Sequence, residues 1–243
     1  MFKKINATNF NNHNSIQNEP LASQNGINFF NDLWGENIPN GFLVLWTKQD
    51  KKSYSFHTSK LADAVLKADQ LKDKMDVYFS LGIQRETIND PYKRGLEDGV
   101  IALPGLWFDF DIAGPGHVKN DLPADAETLV DFIHNELPIP TLSVASGGGI
   151  HVYWRFNQPL FITTEEQLKA AKDLSNSWHQ SIIQKGMAVP REWSLDNTDA
   201  INQLLRIPGT INHKYGKEVL VCQSSKIQYG QEELSKYVHI KQS

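Results

Sequence analysis

The sequence predicts a mixed α/β (α+β) domain, a sheet covered by helices on one face. Two observations lead there. Apolar segments rich in β-branched and aromatic residues alternate along the chain with segments of helical periodicity. One pair of strand-like segments, Thr141–Ala145 and Ile150–Phe156, is separated only by Ser146-Gly147-Gly148-Gly149. Such a pair returns on itself as a hairpin, which gives the sheet an antiparallel component.

The elements follow in order. Residues 1–26 are rich in Asn, Gln and Ser with no apolar period, and read as a polar, flexible arm. The folded domain is expected over 27–243, opening near Ile27 with a short helix that carries Phe29, Phe30, Leu33 and Trp34. Gly41–Thr47 reads as a buried strand and Ser53–His57 as a second. Ser59 is placed to cap a helix from Leu61 to Lys74, with Leu61, Val65, Ala68 and Leu71 on one face. A strand is expected over Asp76–Gly82 and another over Leu106–Ile112. A helix over Ala124–Asn135 leads to the hairpin. Thr163–Glu166 fits a capping box that opens a helix to Gln184, with Leu168, Ala171, Leu174, Trp178 and Ile182 inward. A short helix over Ala200–Leu205, a strand near Glu218–Cys222 and a terminal helix over Gln231–Tyr237 complete the chain.

Composition narrows the function. The 243 residues are 40% hydrophobic and 21% charged, as in ordinary globular proteins. No stretch reaches the ~20 apolar residues of a membrane span and the N-terminus lacks a signal-peptide core. A cytoplasmic chain without membrane partners is expected. The single cysteine, Cys222, leaves no disulfide framework and no cysteine-built zinc site. A net charge of −4 argues against a nucleic-acid coat protein but leaves room for a local basic groove.

Three groups of residues carry chemistry. Asp109 and Asp111 lie two apart in the apolar run Leu106–Ile112. On a strand they share a face, with Cα atoms roughly 6–7 Å apart. Two exposed acids on a wet face are the plain alternative. The flanking Trp107, Phe108, Phe110 and Ile112 favour a cation, because unpartnered charges in apolar surroundings are costly. Paired carboxylates hold hard cations such as Mg²⁺, the chemistry of phosphoryl and nucleotidyl transfer. The second group is Ser146-Gly147-Gly148-Gly149-Ile150-His151. Three glycines let backbone N–H groups face an anion, and His151 can donate to a phosphate; a hairpin turn with a surface histidine is the plain alternative. Val152 and Trp154 are expected to face the core, with His151 and Tyr153 on the opposite side. The third group is Ser194–Asp199 followed by Leu205–Lys214. Asp196 can complete the carboxylate set, and Asp199 can do so or cap the next helix. Arg206, His213 and Lys214 form a basic group suited to triphosphate or template backbone. Arg85, Arg94, Trp46 and His117 fall outside these groups; any of them could line a template groove, with surface or core duty as the plain alternative for each.

The order Asp-x-Asp, Ser-Gly-Gly-Gly-x-His, then Asp before Arg-x-Pro-Gly-Thr-x-Asn-x-Lys resembles the archaeo-eukaryotic primase superfamily, in particular the primase-polymerase domains of plasmids, phages and other mobile elements. The motifs span Leu106–Lys214. The resemblance implies a two-lobed domain with an RNA-recognition-motif-like catalytic sheet over 27–243. It implies that Asp109 and Asp111 bind catalytic metals (two Mg²⁺ or Mn²⁺ ions, with no zinc), and that Asp196 completes the set, with Asp199 as the alternative. Ser146, Gly147, Gly148, Gly149 and His151 would meet the nucleotide's phosphates, with Arg206 and Lys214 near nucleotide or template. The implied activity is DNA primase or polymerase action on single-stranded DNA with dNTP or NTP, in replication of a mobile element. A helicase or accessory primase domain would follow in a longer protein, of which this chain would be the excised catalytic part. Two rival readings are a metal-dependent nuclease and a non-catalytic replication-initiator module that binds origin DNA.

Overall fold

The computed structural model of the protein describes residues 21–114 and 121–238. Most of the expected N-terminal arm (residues 1–20) and His117 lie outside the described residues.

The chain runs α1 (Leu21–Trp34), β1 (Phe42–Thr47), β2 (Lys52–His57), α2 (Leu61–Leu71), β3 (Val77–Ser80), β4 (Ile83–Gln84), β5 (Val100–Asp111), α3 (Ala126–Glu136), β6 (Leu142–Ala145), β7 (Gly149–Phe161), α4 (Glu165–Met187), β8 (Leu204–Arg206), β9 (Ile211–Asn212), β10 (Lys217–Glu218), β11 (Leu220–Ser224) and α5 (Gln231–Ser235). Nine described strands form one sheet in the order β11-β6-β7-β5-β4-β1-β3-β8, with β2 added beside β1. The β9–β10 ribbon stands apart from it. The longest pairing is β5 with β7, antiparallel, in a register that sets Trp107 opposite Tyr153, Asp109 opposite His151 and Asp111 opposite Gly149.

Helices cover both faces of this sheet, where the sequence predicted one. Apolar side chains alternate between two clusters. Trp107, Val144 and Tyr153 join α1, α2, β1 and β3 in one. Leu106, Phe108, Phe110, Val152 and Trp154 join α3, α4 and α5 in the other. Both faces of β5 and β7 are therefore buried, which explains their almost unbroken apolar sequence. Tyr153 accordingly packs in the first cluster, against Phe29 with ring centroids 5.6 Å apart. In the second, Trp154 meets Trp178 edge-on at 4.8 Å, and its indole N–H donates to the Pro138 carbonyl at 2.8 Å.

Several boundaries differ from expectation for identifiable reasons. The first helix begins at Leu21, within the segment read as an arm. Ser59 does not cap α2; it lies in a short 3₁₀ turn (Thr58–Lys60), where the His57 ring accepts from its backbone N–H. α2 ends at Leu71, short of Lys74. The capping box of α4 is Thr164 with Gln167, one residue beyond the expected start. β5 begins at Val100, six residues before the expected strand, because Pro104 and Gly105 imitate a break. They form an irregularity in the β5–β7 ladder, where a Cβ on Gly105 would stand 2.1 Å from the Trp154 carbonyl. Ala200–Leu205 is not a helix: residues 201 and 202 turn, and Leu204–Arg206 pairs with β3. Among the described residues no helix is long and apolar enough to cross a membrane.

A Cβ on Gly149 would lie 1.8 Å from the Phe110 carbonyl, whereas one on Gly148 would meet the Tyr215 ring, which can move. Gly149→Ala is expected to destabilise the protein by about 1–3 kcal/mol, and by more than Gly148→Ala, in urea unfolding. His179 is fully buried, stacked on Phe108, with Nδ1 2.9 Å from the Ser175 carbonyl. Burial lowers its pKa to about 4, against the smaller opposing effects of that carbonyl and Asp199. The unfolded state therefore binds the extra proton first. The stability it contributes is complete above about pH 6.5 and is lost as pH falls towards 4. Unfolding midpoints measured from pH 7 to 4 should fall less steeply in His179→Gln than in the native chain.

Candidate active site

The β5–β7 register brings the first two sequence motifs onto one face. Asp109 and His151 are direct cross-strand partners, with His151 Nε2 3.4 Å from Asp109 Oδ1. Asp111, two residues on, shares their face at the strand end, opposite Gly149. His151 is buried while Asp109 remains partly open to solvent. Burial lowers the His151 pKa to about 3, the Arg206 charge adds to the effect, and Asp111 opposes it. Asp109 at 3.4 Å does not reverse this, so His151 is a neutral imidazole at physiological pH, with one N–H to give. Its Nδ1 and the Tyr153 hydroxyl beside it are buried with no hydrogen-bond partner among the described residues. Burial and the nearby Asp109 charge both raise the Tyr153 pKa.

The glycines of the turn have separate structural reasons. Gly147 has φ +90°, a conformation that disfavours other residues. Gly148 lies under the Tyr215 ring and Gly149 against the Phe110 carbonyl. The Ser146 N–H donates to the Gly149 carbonyl, which closes the turn, and the Gly148 carbonyl accepts from Ile112. Among the described residues the N–H groups of Gly147 and Gly148 meet no backbone acceptor. Asn212 clasps the turn from outside: its side-chain NH₂ donates to the Ser146 carbonyl at 2.7 Å. Lys214, on the β9–β10 turn, lies over the Tyr215 ring at 5.0 Å, the ring that also covers Gly148.

Arg206 enters from β8. Its guanidinium donates to Asp76 at 2.5 Å and stacks over Tyr78 at 4.7 Å. Burial pushes the Asp76 pKa up, but the bond and charge of Arg206, with the His213 N–H and Gln49, hold it below the usual carboxylate value. Tyr78 is raised by burial, against Arg206, with Asp76 and Asp109 adding to the rise. Tyr78 and Arg206 thus feel the charges of the β5–β7 site although they stand at the far end of the strand order.

Not every sequence candidate joins this group. His213 turns away: its ring Nε2 lies 2.7 Å from the Lys72 carbonyl. Asp199 caps no helix. Its backbone carbonyl accepts from Ser175 and its carboxylate from Asn176, both on α4. Asp196 lies on an irregular stretch that runs beside β5, where the Thr198 carbonyl accepts from the Trp107 indole at 3.2 Å. Among the described residues no set of three or more His, Cys, Asp and Glu side chains converges as metal ligands. The donors that do come together, Asp109 and Asp111, are hard oxygen ligands. Mg²⁺ and Mn²⁺ suit such a pair, because these ions complete their shells with water and phosphate oxygens. Sequence reasoning passed over Asp76, Tyr78, Asn212 and Tyr215. Asn212 stood inside the quoted third motif; the other three are brought to the site by tertiary contacts with no local signal.

No family model and no curated protein matches the chain. Among solved structures it matches the AEP domain of the cyanophage S-2L primase-polymerase, with a TM-score of 0.57 and 13% sequence identity, over 89% of this chain and 98% of that one. The chain has the fold of an archaeo-eukaryotic primase-polymerase domain: a mixed α+β structure with a large antiparallel sheet.

The Asp76–Arg206 pair is buried and hydrogen-bonded, so removing one partner strands the other charge. Asp76→Ala and Arg206→Ala are each expected to cost about 3–5 kcal/mol in urea unfolding. A double variant that replaces both with apolar residues should recover part of that loss.

Proposed function

We propose that this chain is a metal-dependent nucleotidyltransferase that joins nucleotides on a single-stranded DNA template, as a primase, a polymerase or both, in replication of a mobile element. The observation that carries the reading is the alignment of Asp109 with His151 across β5 and β7, with Asp111 on the same face, in a chain with a primase-polymerase fold. The solved protein of similar fold is named as a primase-polymerase, which supports the same class of reaction here.

In this reading Asp109 and Asp111 would hold the divalent ions, with Asp196, on the irregular stretch beside β5, as the third acid. Bound Mg²⁺ or Mn²⁺ would supply charge neutralisation on the triphosphate and activation of the attacking 3′-hydroxyl. The residues of the chain position the substrate around that centre. Neutral His151 donates its N–H to a phosphate oxygen without adding a charge that would repel the metals. The N–H groups of Gly147 and Gly148, which meet no backbone acceptor among the described residues, would turn the backbone dipoles of the turn towards the triphosphate. Lys214 supplies a mobile positive charge at the mouth of the turn, and Arg206, fixed by Asp76, a stationary one behind His151. Alignment of two substrates for in-line displacement supplies much of the acceleration.

The test is incorporation of labelled dNTP and NTP on single-stranded DNA with Mg²⁺ or Mn²⁺, with and without primer. Wild type should give template-dependent products. Asp109→Asn and Asp111→Asn should lower the rate by about 100-fold or more while the unfolding midpoint stays within a few degrees of native. Shortening of the DNA would favour a nuclease. Metal-independent duplex binding without products would favour an initiator module.

A further inference from the structure

A second cleft opens beside the site, on the β1–β3–β8 side of the sheet, with a volume of about 730 Å³. Its charged lining is Lys48, Lys93 and Arg94, with no acidic residue, in a chain whose net charge is −4. Its rings are Trp46, Tyr78 and Tyr92. Basic charge and aromatic faces interleaved in one groove are the recognition chemistry of an unpaired nucleic-acid strand: cations follow the phosphates, and rings stack on the exposed bases.

The cleft is built rather than incidental. Tyr92 is 65% exposed and Leu96 63% exposed, so neither ring nor side chain serves the core. Yet the loop that carries them is tied down. Ser53 of β2 donates its N–H to the Pro91 carbonyl and its hydroxyl to the Lys93 carbonyl, both at 2.6 Å. The Ile88 N–H donates to the Ser55 hydroxyl at 2.9 Å, and the Asn202 side chain to the Gly95 carbonyl at 3.1 Å. An exposed tyrosine on a loop fastened at several points loses little freedom when a base stacks on it.

The cleft also communicates with the carboxylates. Arg94 lies over the Trp46 ring at 5.3 Å, Trp46 meets Tyr78 at 5.5 Å, and Arg206 covers Tyr78 at 4.7 Å. That series of ring and cation contacts leads from the exposed loop to Tyr78 and Arg206, which are electrostatically coupled to Asp109 and His151 respectively. Trp46 and Arg94 thus pack on each other in the lining of this cleft.

We infer that the Trp46–Tyr92–Arg94 cleft is a stacking platform for single-stranded polynucleotide, which it leads towards the Asp109–His151 site. The strand's role as template rests on the proposed nucleotidyl transfer; binding itself is tested without catalysis. The experiment uses the full chain and a fluorescent oligo-dT of about 20 nucleotides in EDTA, followed by anisotropy, with oligo-U and a duplex of equal length as further arms. Tyr92→Ala and Arg94→Ala, both at exposed positions, should each weaken oligo-dT binding about tenfold, with Tyr92→Phe close to native. Lys48→Ala with Lys93→Ala should reduce the salt dependence of log K by about 0.7 per charge removed. Lys169→Ala, on the exposed face of α4, should change neither quantity. Oligo-U binding through the same residues supports the platform equally, since stacking ignores the sugar. Native affinity in the Tyr92→Ala/Arg94→Ala double variant, or duplex bound as tightly as single strand, overturns the inference. Incorporation by wild type alongside native binding by the double variant removes the platform and leaves the catalytic reading standing. Loss of binding in the double variant with no incorporation by wild type does the reverse.

Discussion

The pairing of β5 with β7 is the constraint on which the rest of the structure depends. Both strands are buried on both faces, so their register is held by apolar side chains above and below the sheet. A slip of one residue in either strand would turn its site residue, Asp109 or His151, into the second cluster and its Phe108 or Val152 out of it. The same register fixes the glycine turn, because Gly149 has to pass within van der Waals distance of the Phe110 backbone to pair with Asp111. Site geometry and core packing are thus one interaction viewed from two sides.

Around this ladder the charges are distributed in a definite order. Acid stands at the open end of β5, while a neutral histidine is buried next to it. Behind them a guanidinium is locked to Asp76, and a flexible lysine lies beyond the turn. Burial is the largest influence on the titrating groups: it lowers the pKa of His151 and His179, and it opposes ionisation of Asp76, where Arg206, the His213 N–H and Gln49 outweigh it. A bound polyanion would meet fixed positive charge behind the histidine and mobile positive charge in front of it.

The sequence made the mixed α+β class, the hairpin and the apolar strand around Asp109 legible because each has a local signature: alternating element patterns, a glycine turn between strands, and acids set into an aromatic run. It was misleading where tertiary contacts overrode local preference. Pro104-Gly105 reads as a break but sits at an irregularity inside β5, and Ala200–Leu205 reads as helical but ends in a strand recruited by β3. The single covered face was the wrong inference because alternation along β7 hides two cores: Tyr153 and Trp154 are each buried, on opposite sides. Of the candidate site, the motif residues could be named from the sequence, whereas the β5–β7 alignment, the Asp76–Arg206 lock and the departure of His213 to Lys72 depend on segments far apart in sequence.

The proposed function requires that Asp109 and Asp111 form half of a metal site that a nucleoside triphosphate completes. Electron paramagnetic resonance of Mn²⁺ tests it most directly, because the signal of the free ion is lost when the ion is bound by protein. Titration of wild type with Mn²⁺ should show weak loss alone and a much stronger loss when a triphosphate is added, beyond that of the triphosphate by itself. The Asp109→Asn/Asp111→Asn variant should show only the effect of the triphosphate. Equal signal loss in both proteins would place the metal elsewhere and contradict the claim.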